Sequence, residues 1–351
     1  MGLREPNLRM TATQDTTQPT SSPFSPPGAG KPKVSVITCA YNAAPWIAQT
    51  LESVFSQTYT DYEMIVVDDG STDGTAEIVQ RYGERVRLIS QSNRGTGAAR
   101  NTAIASSRGE LIVNLDADDL WFASALAALV PAFDDPAVGI ACTDVLLWDE
   151  KTPWNRCPRH SEYYRPPNAD PATWSQLMHE NYIPVVTLMI RRSLIERLGG
   201  FDESLPLAND YDMVLRAALA GAKIRCLDGV HGVYRVREGS VSRNLARMLD
   251  ELVLIYEKML ATADLSPDQR RLALRAIRRR RTGYRTAGVN YLLAGQVAAA
   301  RRYLWRACAY TPYDPRNLLG FVLTWIAPHA AARWASAIRE RRRSLRASRV
   351  T

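Results

Sequence analysis

Leu111-Ile112-Val113-Asn114-Leu115-Asp116-Ala117-Asp118-Asp119 is a short apolar run that ends in carboxylates. A run of this length, closed by turn-forming residues, reads as a buried strand. Side chains alternate along a strand with a period of two, so Asp116 and Asp118 are placed on one face at its carboxyl end.

The same grammar repeats outward from this strand. Upstream, Val34-Ser35-Val36-Ile37-Thr38-Cys39 reads as a strand, and so does Met64-Ile65-Val66-Val67, which runs into the turn Asp68-Asp69-Gly70-Ser71. Residues 86–89 supply another. Between them, residues 46–57 carry Ile47, Leu51, Val54 and Phe55 at helical spacing, residues 75–82 are helical by periodicity, and residues 97–107 form an Ala-rich helix. Strands alternating with helices predict βαβ units and an α/β fold with a mostly parallel sheet flanked by helices. Ligands in such sheets sit at the carboxyl ends of the strands, where Thr38, Asp69 and Asp116 fall. Downstream, residues 139–147 and 185–190 are expected as strands. Residues 148–182, with many Trp, Tyr and Pro, are expected as loops that shape a pocket.

The two ends differ from this centre. Residues 1–32 are rich in Ser, Thr, Pro and Gln, bury too little apolar surface to offset ordering entropy, and are expected to be a disordered tail. After Ser242 the chain reads as wholly helical. Leu245, Met248, Leu249, Leu252, Val253, Tyr256, Met259 and Leu260 form one stripe, and Ser266-Pro267-Asp268-Gln269 has the pattern of a helix start. Residues 287–312 resemble a single tetratricopeptide-like helical hairpin.

Composition narrows the function classes. A hydrophobic fraction of 46% and a charged fraction of 23% are those of an ordinary globular protein. Five cysteines, with no CxxC pair, argue against a disulfide framework or a zinc site and suit a reducing, cytoplasmic setting. Residues 1–10 lack the apolar core of a secretory signal. No stretch reaches the ~20 apolar residues that span a bilayer. The net charge of +8 conceals an asymmetry: residues 264–351 hold 19 Arg, no Lys and four acids, a local +15, which leaves −7 for the preceding 263 residues. The two parts are therefore expected to meet different partners.

The acidic strand end points to chemistry. Hard divalent cations prefer oxygen ligands, often one or two carboxylates completed by phosphate oxygens and water. Asp-x-Asp suits a cation that offsets the charge of a departing diphosphate. The competing reading is that the cluster only turns the chain, with Asp119 capping a helix over residues 121–133.

Several segments in order sharpen this. Val34 to Asn42, Ile65 to Asp73, Asn93-Arg-Gly-Thr-Gly-Ala-Ala-Arg-Asn101, Leu115 to Asp119, Gly199-Gly-Phe-Asp-Glu203 and Asn209-Asp-Tyr-Asp-Met-Val-Leu-Arg216 together resemble the family-2 glycosyltransferases. The resemblance spans residues 33–240 and implies a GT-A-like nucleotide-binding domain, inverting glycosyl transfer from a nucleoside-diphosphate sugar, and dependence on Mn²⁺ or Mg²⁺. It leaves residues 1–32 as a tail and residues 241–351 as an Arg-rich helical extension. It implies that Thr38 and Tyr41 line the base and ribose pocket with Asn42 close by, and that Asp69 contacts the base, Asp68 ranking behind it. Arg100 would face the diphosphate, Asp116 would touch ribose or metal, and Asp118 would be the principal metal ligand. Asp210 would be the general base, with Asp212 as its rival and helix capping as its structural alternative.

The chain departs from the family pattern at two places. Asn209 stands where Glu is frequent, and Arg237 stands where a His often follows a Tyr-Arg pair. Arg237 is a candidate diphosphate partner; His231 nearby reads as structural. Gly95-Thr-Gly97 only partly matches a dinucleotide fingerprint, since the third glycine is missing. The Gln-x-x-Arg-Trp motif of processive synthases is absent, which favours single additions. The expected acceptor is a glycan or lipid-linked species, and no nucleic-acid motif accompanies the Arg runs. Residues 318–351 combine apolar residues, Trp and Arg, as a segment resting on an anionic membrane at its inner face would. A catalytically silent nucleotide-sugar binder of the same fold is the alternative function.

Overall fold

The structure is a computed structural model and describes residues 30–153, 156–157, 170–237, 244–327, 333, 334 and 336. The expected disordered tail lies outside these residues except for its last three.

Apolar runs become strands because helices cover both faces of the sheet they form. β1 (Val34–Ala40), β2 (Tyr62–Asp68), β3 (Arg87–Ser90) and β4 (Leu111–Asn114) lie in the order β3-β2-β1-β4, all parallel. The period of two sorts their side chains. Val34, Val36, Met64, Val66, Leu111 and Val113 pack to one side, with Ile47, Leu51 and Val54 of α1 (Ile47–Phe55). Ile37, Ile65, Val67 and Ile112 pack to the other, with Ala99 and Ala103 of α3 (Thr96–Ser106). Burial of each such Val, Leu or Ile contributes about 1.5–3 kcal/mol. α2 (Thr75–Gln80) completes the alternation.

Beyond β4 antiparallel strands join the parallel ones. β7 (Met189–Arg191) runs antiparallel between β4 and β6 (Val138–Trp148). β8 (Lys223–Arg235), which the hydrophobic pattern did not reveal, pairs parallel with β6, and β5 (Leu120–Trp121) lies antiparallel on β8. The strand expected over residues 185–190 starts as a 3₁₀ turn, Val185–Thr187, in which the Thr187 hydroxyl donates to the Thr143 carbonyl. The helix expected from Trp121 begins only at α4 (Ala125–Leu129). Trp121 is held in extended form because its amide donates to Ser53 Oγ and its indole to the Val186 carbonyl, 2.7 Å away. Within residues 148–182, residues 154–155 and 158–169 lie outside the described residues; α5 (Trp174–His179) starts on a Thr173–Gln176 capping box.

α6 (Arg192–Arg197) and α7 (Asn209–Leu219) precede β8. The remaining helices are α8 (Leu245–Thr262), α9 (Pro267–Arg281), α10 (Gly283–Leu293), α11 (Val297–Tyr310) and α12 (Pro315–Ile326). The helix start at Ser266 has both halves of its capping box, and α10 and α11 form the expected hairpin. α8 is welded to the sheet layer: Leu252, Val253, Ile255, Tyr256 and Met259 share a core with Ile37 and Ile65. The Arg run at the end of α9 is partly spent on internal contacts. Arg279 donates to the His179 carbonyl, and Arg281 pairs with Glu257 and lies over the Tyr310 ring. Among the described residues no helix is long and apolar enough to cross a membrane.

Candidate active site

The carboxyl ends of β1, β2 and β4 bring the acidic motifs to one edge of the sheet. At the end of β2, Asp69 is buried and accepts hydrogen bonds from Gln91 Nε2 and from the amides of Arg94 and Gly95 at 2.7–2.9 Å. Its first task is to hold the loop entering α3. A carboxylate offers about four acceptor sites, so one remains for a ligand. Asp68, ranked behind it, makes a single long contact to the Ser71 amide. Asn42 adopts φ +50, a left-handed conformation that Asn tolerates, and its side chain accepts from the Thr72 amide. Tyr41 is 54% exposed at the lip, open to a ring-stacking ligand.

Thr38 corrects the expectation for the pocket. It is fully enclosed between neighbouring strands, and its hydroxyl has no hydrogen-bond partner among the described residues. It backs the strand end.

Arg100 is also placed differently from the expectation. Only 4% exposed, its guanidinium is shared between Asn114, Asn209 and Asp116. It is a buried strut between β4 and α7 that also lines a small cavity with Asp210. Asp116 is reached from below by this cation and by Asn114 Nδ2 at 2.9 Å.

The turn after β4 is crowded with negative charge. Burial, then the charge of Asp116, raises the Asp118 carboxyl above its ordinary range. Burial, then Asp118 and Asp116, pushes Asp119 up further. Asp119 does not cap a helix; it accepts from the amide of Arg235, at 2.8 Å. The Arg235 side chain, 2% exposed, donates to the Asp118 carbonyl and Gln49 and pairs with Glu150. Arg237 is ion-paired with Asp118 and lies 4.0 Å above the Trp46 ring. The sequence reading missed Arg235 and Trp46; the signal for Arg235 is the Tyr234-Arg235-Val236-Arg237 run that closes β8, and nothing local marks Trp46. His231 is structural: its ring bonds Ser124, and burial pushes the imidazole below its usual range.

α7 brings the third carboxylate. The residue preceding this helix is Ala208, so Asp210 lies inside the first turn and is not its cap. Burial raises the Asp210 carboxyl, with Arg100 opposing and Asp116 adding to the rise. Asp210 lines a small cavity with Arg100, Asn114 and Leu188. The rival Asp212 is committed elsewhere, to Arg216 one turn on.

The donor set suits a hard divalent cation. Among the described residues no three His, Cys, Asp or Glu side chains form a cage by themselves. Two mutually repelling carboxylates, with the buried Asp119 Oδ2 lacking a partner among the described residues, fit a cation whose other ligands come from a diphosphate. Among the described residues, buried Arg237 Nε likewise lacks a partner and fits a phosphate oxygen.

Comparison with known proteins agrees with this geometry. A sequence profile described as glycosyl transferase family 2 matches residues 35–199. The succinoglycan biosynthesis protein ExoO of Rhizobium meliloti is 30% identical over 285 residues, 78% of this chain and 80% of that protein. An Escherichia coli chondroitin synthase is 33% identical over 195 residues, 54% of this chain but 27% of the synthase. Among solved structures, Staphylococcus aureus TarS residues 1–349 in complex with UDP-GlcNAc superposes with TM-score 0.61 at 20% identity, covering 88% of this chain and 92% of that one. The mannosyltransferase PcManGT of Pyrobaculum calidifontis, in complex with GDP-Man and Mn²⁺, gives 0.57 at 25% identity, with 91% and 90% covered.

Proposed function

The chain belongs to glycosyl transferase family 2 and is an enzyme of glycosyl transfer, and from that premise we propose an inverting transferase that moves one sugar from a nucleoside-diphosphate donor to a glycan or lipid-linked acceptor. The observation that carries the reading is the convergence of Asp116, Asp118 and Asp210 on one sheet edge, with Arg100 fixed between Asp116 and Asp210.

Asp210 is the general base. It takes the proton of the acceptor hydroxyl while that oxygen bonds to the anomeric carbon from the face opposite the diphosphate. The bond from that carbon to the phosphate oxygen breaks, and its electron pair leaves with the nucleoside diphosphate. A carboxyl raised by burial is a stronger base once ionised, and a positioned base is worth about 10²–10⁴-fold. Asp118 and Asp116 would hold Mn²⁺ or Mg²⁺, which when bound offsets the charge of the leaving diphosphate. Arg237 would add a second positive charge beside it. Tyr41 and Asn42 flank the nucleoside, with Asp69 fixing the loop behind them. Relatives named for bound UDP-GlcNAc and GDP-Man support a nucleotide-sugar donor. A cytoplasmic location suits the free cysteines.

The test is a panel of nucleotide sugars, with and without Mn²⁺, read by thermal shift and by release of nucleoside diphosphate. Donor-dependent stabilisation with turnover that Asp210→Asn abolishes is expected. Stabilisation without turnover on any donor would instead mark a silent binder.

A further inference from the structure

We propose that α12 is a docking face for an anionic lipid bilayer, lying in the plane of the headgroups. The helix is built inside out. Its inward positions are Asn317, Gly320 and Thr324, all buried, although two of them are polar. Asn317 reaches the Ala307 carbonyl and the Thr311 hydroxyl, and the Thr324 carbonyl accepts two hydrogen bonds from Arg301. Phe321 and Leu323, at the flanks, are partly buried against the core of α10 and α11, and the other large apolar side chains point outward. Leu318, Leu319, Val322, Trp325 and Ile326 are 56%, 49%, 38%, 63% and 74% exposed. At 3.6 residues per turn these five cover an arc of roughly 120° on a single face.

A helix that hides polar groups and shows leucines to water leaves part of its hydrophobic free energy uncollected, which an apolar partner would supply. Charge selects the partner. The stripe belongs to residues 264–327, which hold 12 arginines, no lysine and three acids, and a second copy of this chain would bring a like local charge of +9 against it. An anionic surface is complementary to that charge. Arg301 stacks 4.0 Å over the Trp325 ring, and Arg316, in the first turn, is exposed at the surface while paired with Asp314. Trp and Arg flanking an apolar stripe suit the boundary between headgroups and acyl chains. At 12 residues the helix is too short to span a bilayer, so it lies on one. The rest of the 318–351 segment falls largely outside the described residues, and the proposal does not use it.

The experiment is flotation of the full chain with vesicles of phosphatidylcholine alone and of phosphatidylcholine mixed with phosphatidylglycerol, with no donor present, so that its outcome is independent of sugar transfer. The wild type is expected to float with the anionic vesicles only, less as salt is raised. The triple variant Leu318→Gln, Leu319→Gln, Ile326→Gln should keep its melting temperature, since these side chains are about half or more in water, and should bind at least about tenfold more weakly. Equal flotation of wild type and variant, or none by the wild type, overturns the proposal. So does a concentration-dependent dimer that the triple variant dissolves, which would assign the face to a second copy.

Discussion

The Arg237 guanidinium pairs with the Asp118 carboxylate while its flat face rests 4.0 Å above the Trp46 ring, so a protein cation already sits on the side chain expected to bind metal. The pair is partly buried, with side-chain exposures of 31% and 19%, and so is screened less than a surface ion pair. Arg237 and a divalent ion should therefore compete for Asp118 until a diphosphate gives the guanidinium a second partner. Arg237→Gln is expected to tighten Mn²⁺ binding to the free protein by about tenfold and to slow transfer by roughly 10²-fold. Manganese titration followed by paramagnetic resonance reads the first effect and steady-state kinetics the second. An unchanged Mn²⁺ affinity would remove the competition.

Asp210 and Asp212 are two residues apart on α7 yet have separate surroundings. Asp210 faces Arg100 and Asp116; Asp212 is held by Arg216. Asp210→Asn should lower kcat about 10²–10⁴-fold and leave the donor dissociation constant nearly unchanged. Asp212→Asn should cost stability and far less rate. The reverse order, read by single-turnover kinetics alongside thermal melts, would transfer the base to Asp212.

The outlines of β1, β2, β4 and α1 were legible because helices bury both faces of that half of the sheet, so apolar residues had to run on without interruption. β8 was not. Its polar-apolar alternation, Lys223-Ile224-Arg225-Cys226, lasts only four residues before the exposed break at Asp228-Gly229, and its pairing with β6 shifts register around Asp144, so no long period of two or apolar run survives. The acidic positions were found by motif order. Their tasks were not, because whether Arg100 faces a ligand or a buried asparagine depends on Asn209, 109 residues away. Likewise, nothing local tells that Asp69 is spent on the Arg94 and Gly95 amides.

Glu251 of α8 accepts hydrogen bonds from the amides of Leu207 and Ala208, at 2.8 and 3.0 Å, just before α7 begins. The helical extension thereby fixes the start of the helix that carries Asp210. Glu251 is 6% exposed, so its loss leaves the buried Ala208 amide unpaired, at about 1–3 kcal/mol, and strips the partly buried Leu207 amide of its partner. Glu251→Ala is expected to lower both the melting temperature and kcat. Glu251→Gln, which keeps an acceptor oxygen, should recover most of both. If the alanine variant melts earlier but turns over normally, α8 serves stability alone.

The pH dependence of transfer tests the electrostatics of Asp210 directly. Burial raises its carboxyl above the ordinary carboxylate range, and Arg100 restrains the rise. A general base must be ionised, so the acid limb of kcat should fall at a pH above that of a free aspartate. As the pH rises through that value, Asp210 ionises in its buried site; the stability that favoured the neutral acid is lost and the active form appears. Arg100→Gln takes away the restraining cation and keeps a hydrogen-bonding side chain for Asn114 and Asn209. The Asp210 carboxyl should then rise further, moving the acid limb to higher pH as well as reducing its plateau. Asp212→Asn should leave that limb in place, because Asp212 titrates against Arg216 and not against the cavity. A limb that stays fixed in Arg100→Gln, in a variant that still melts cooperatively, would mean that the ionisation governing transfer belongs to some group other than Asp210.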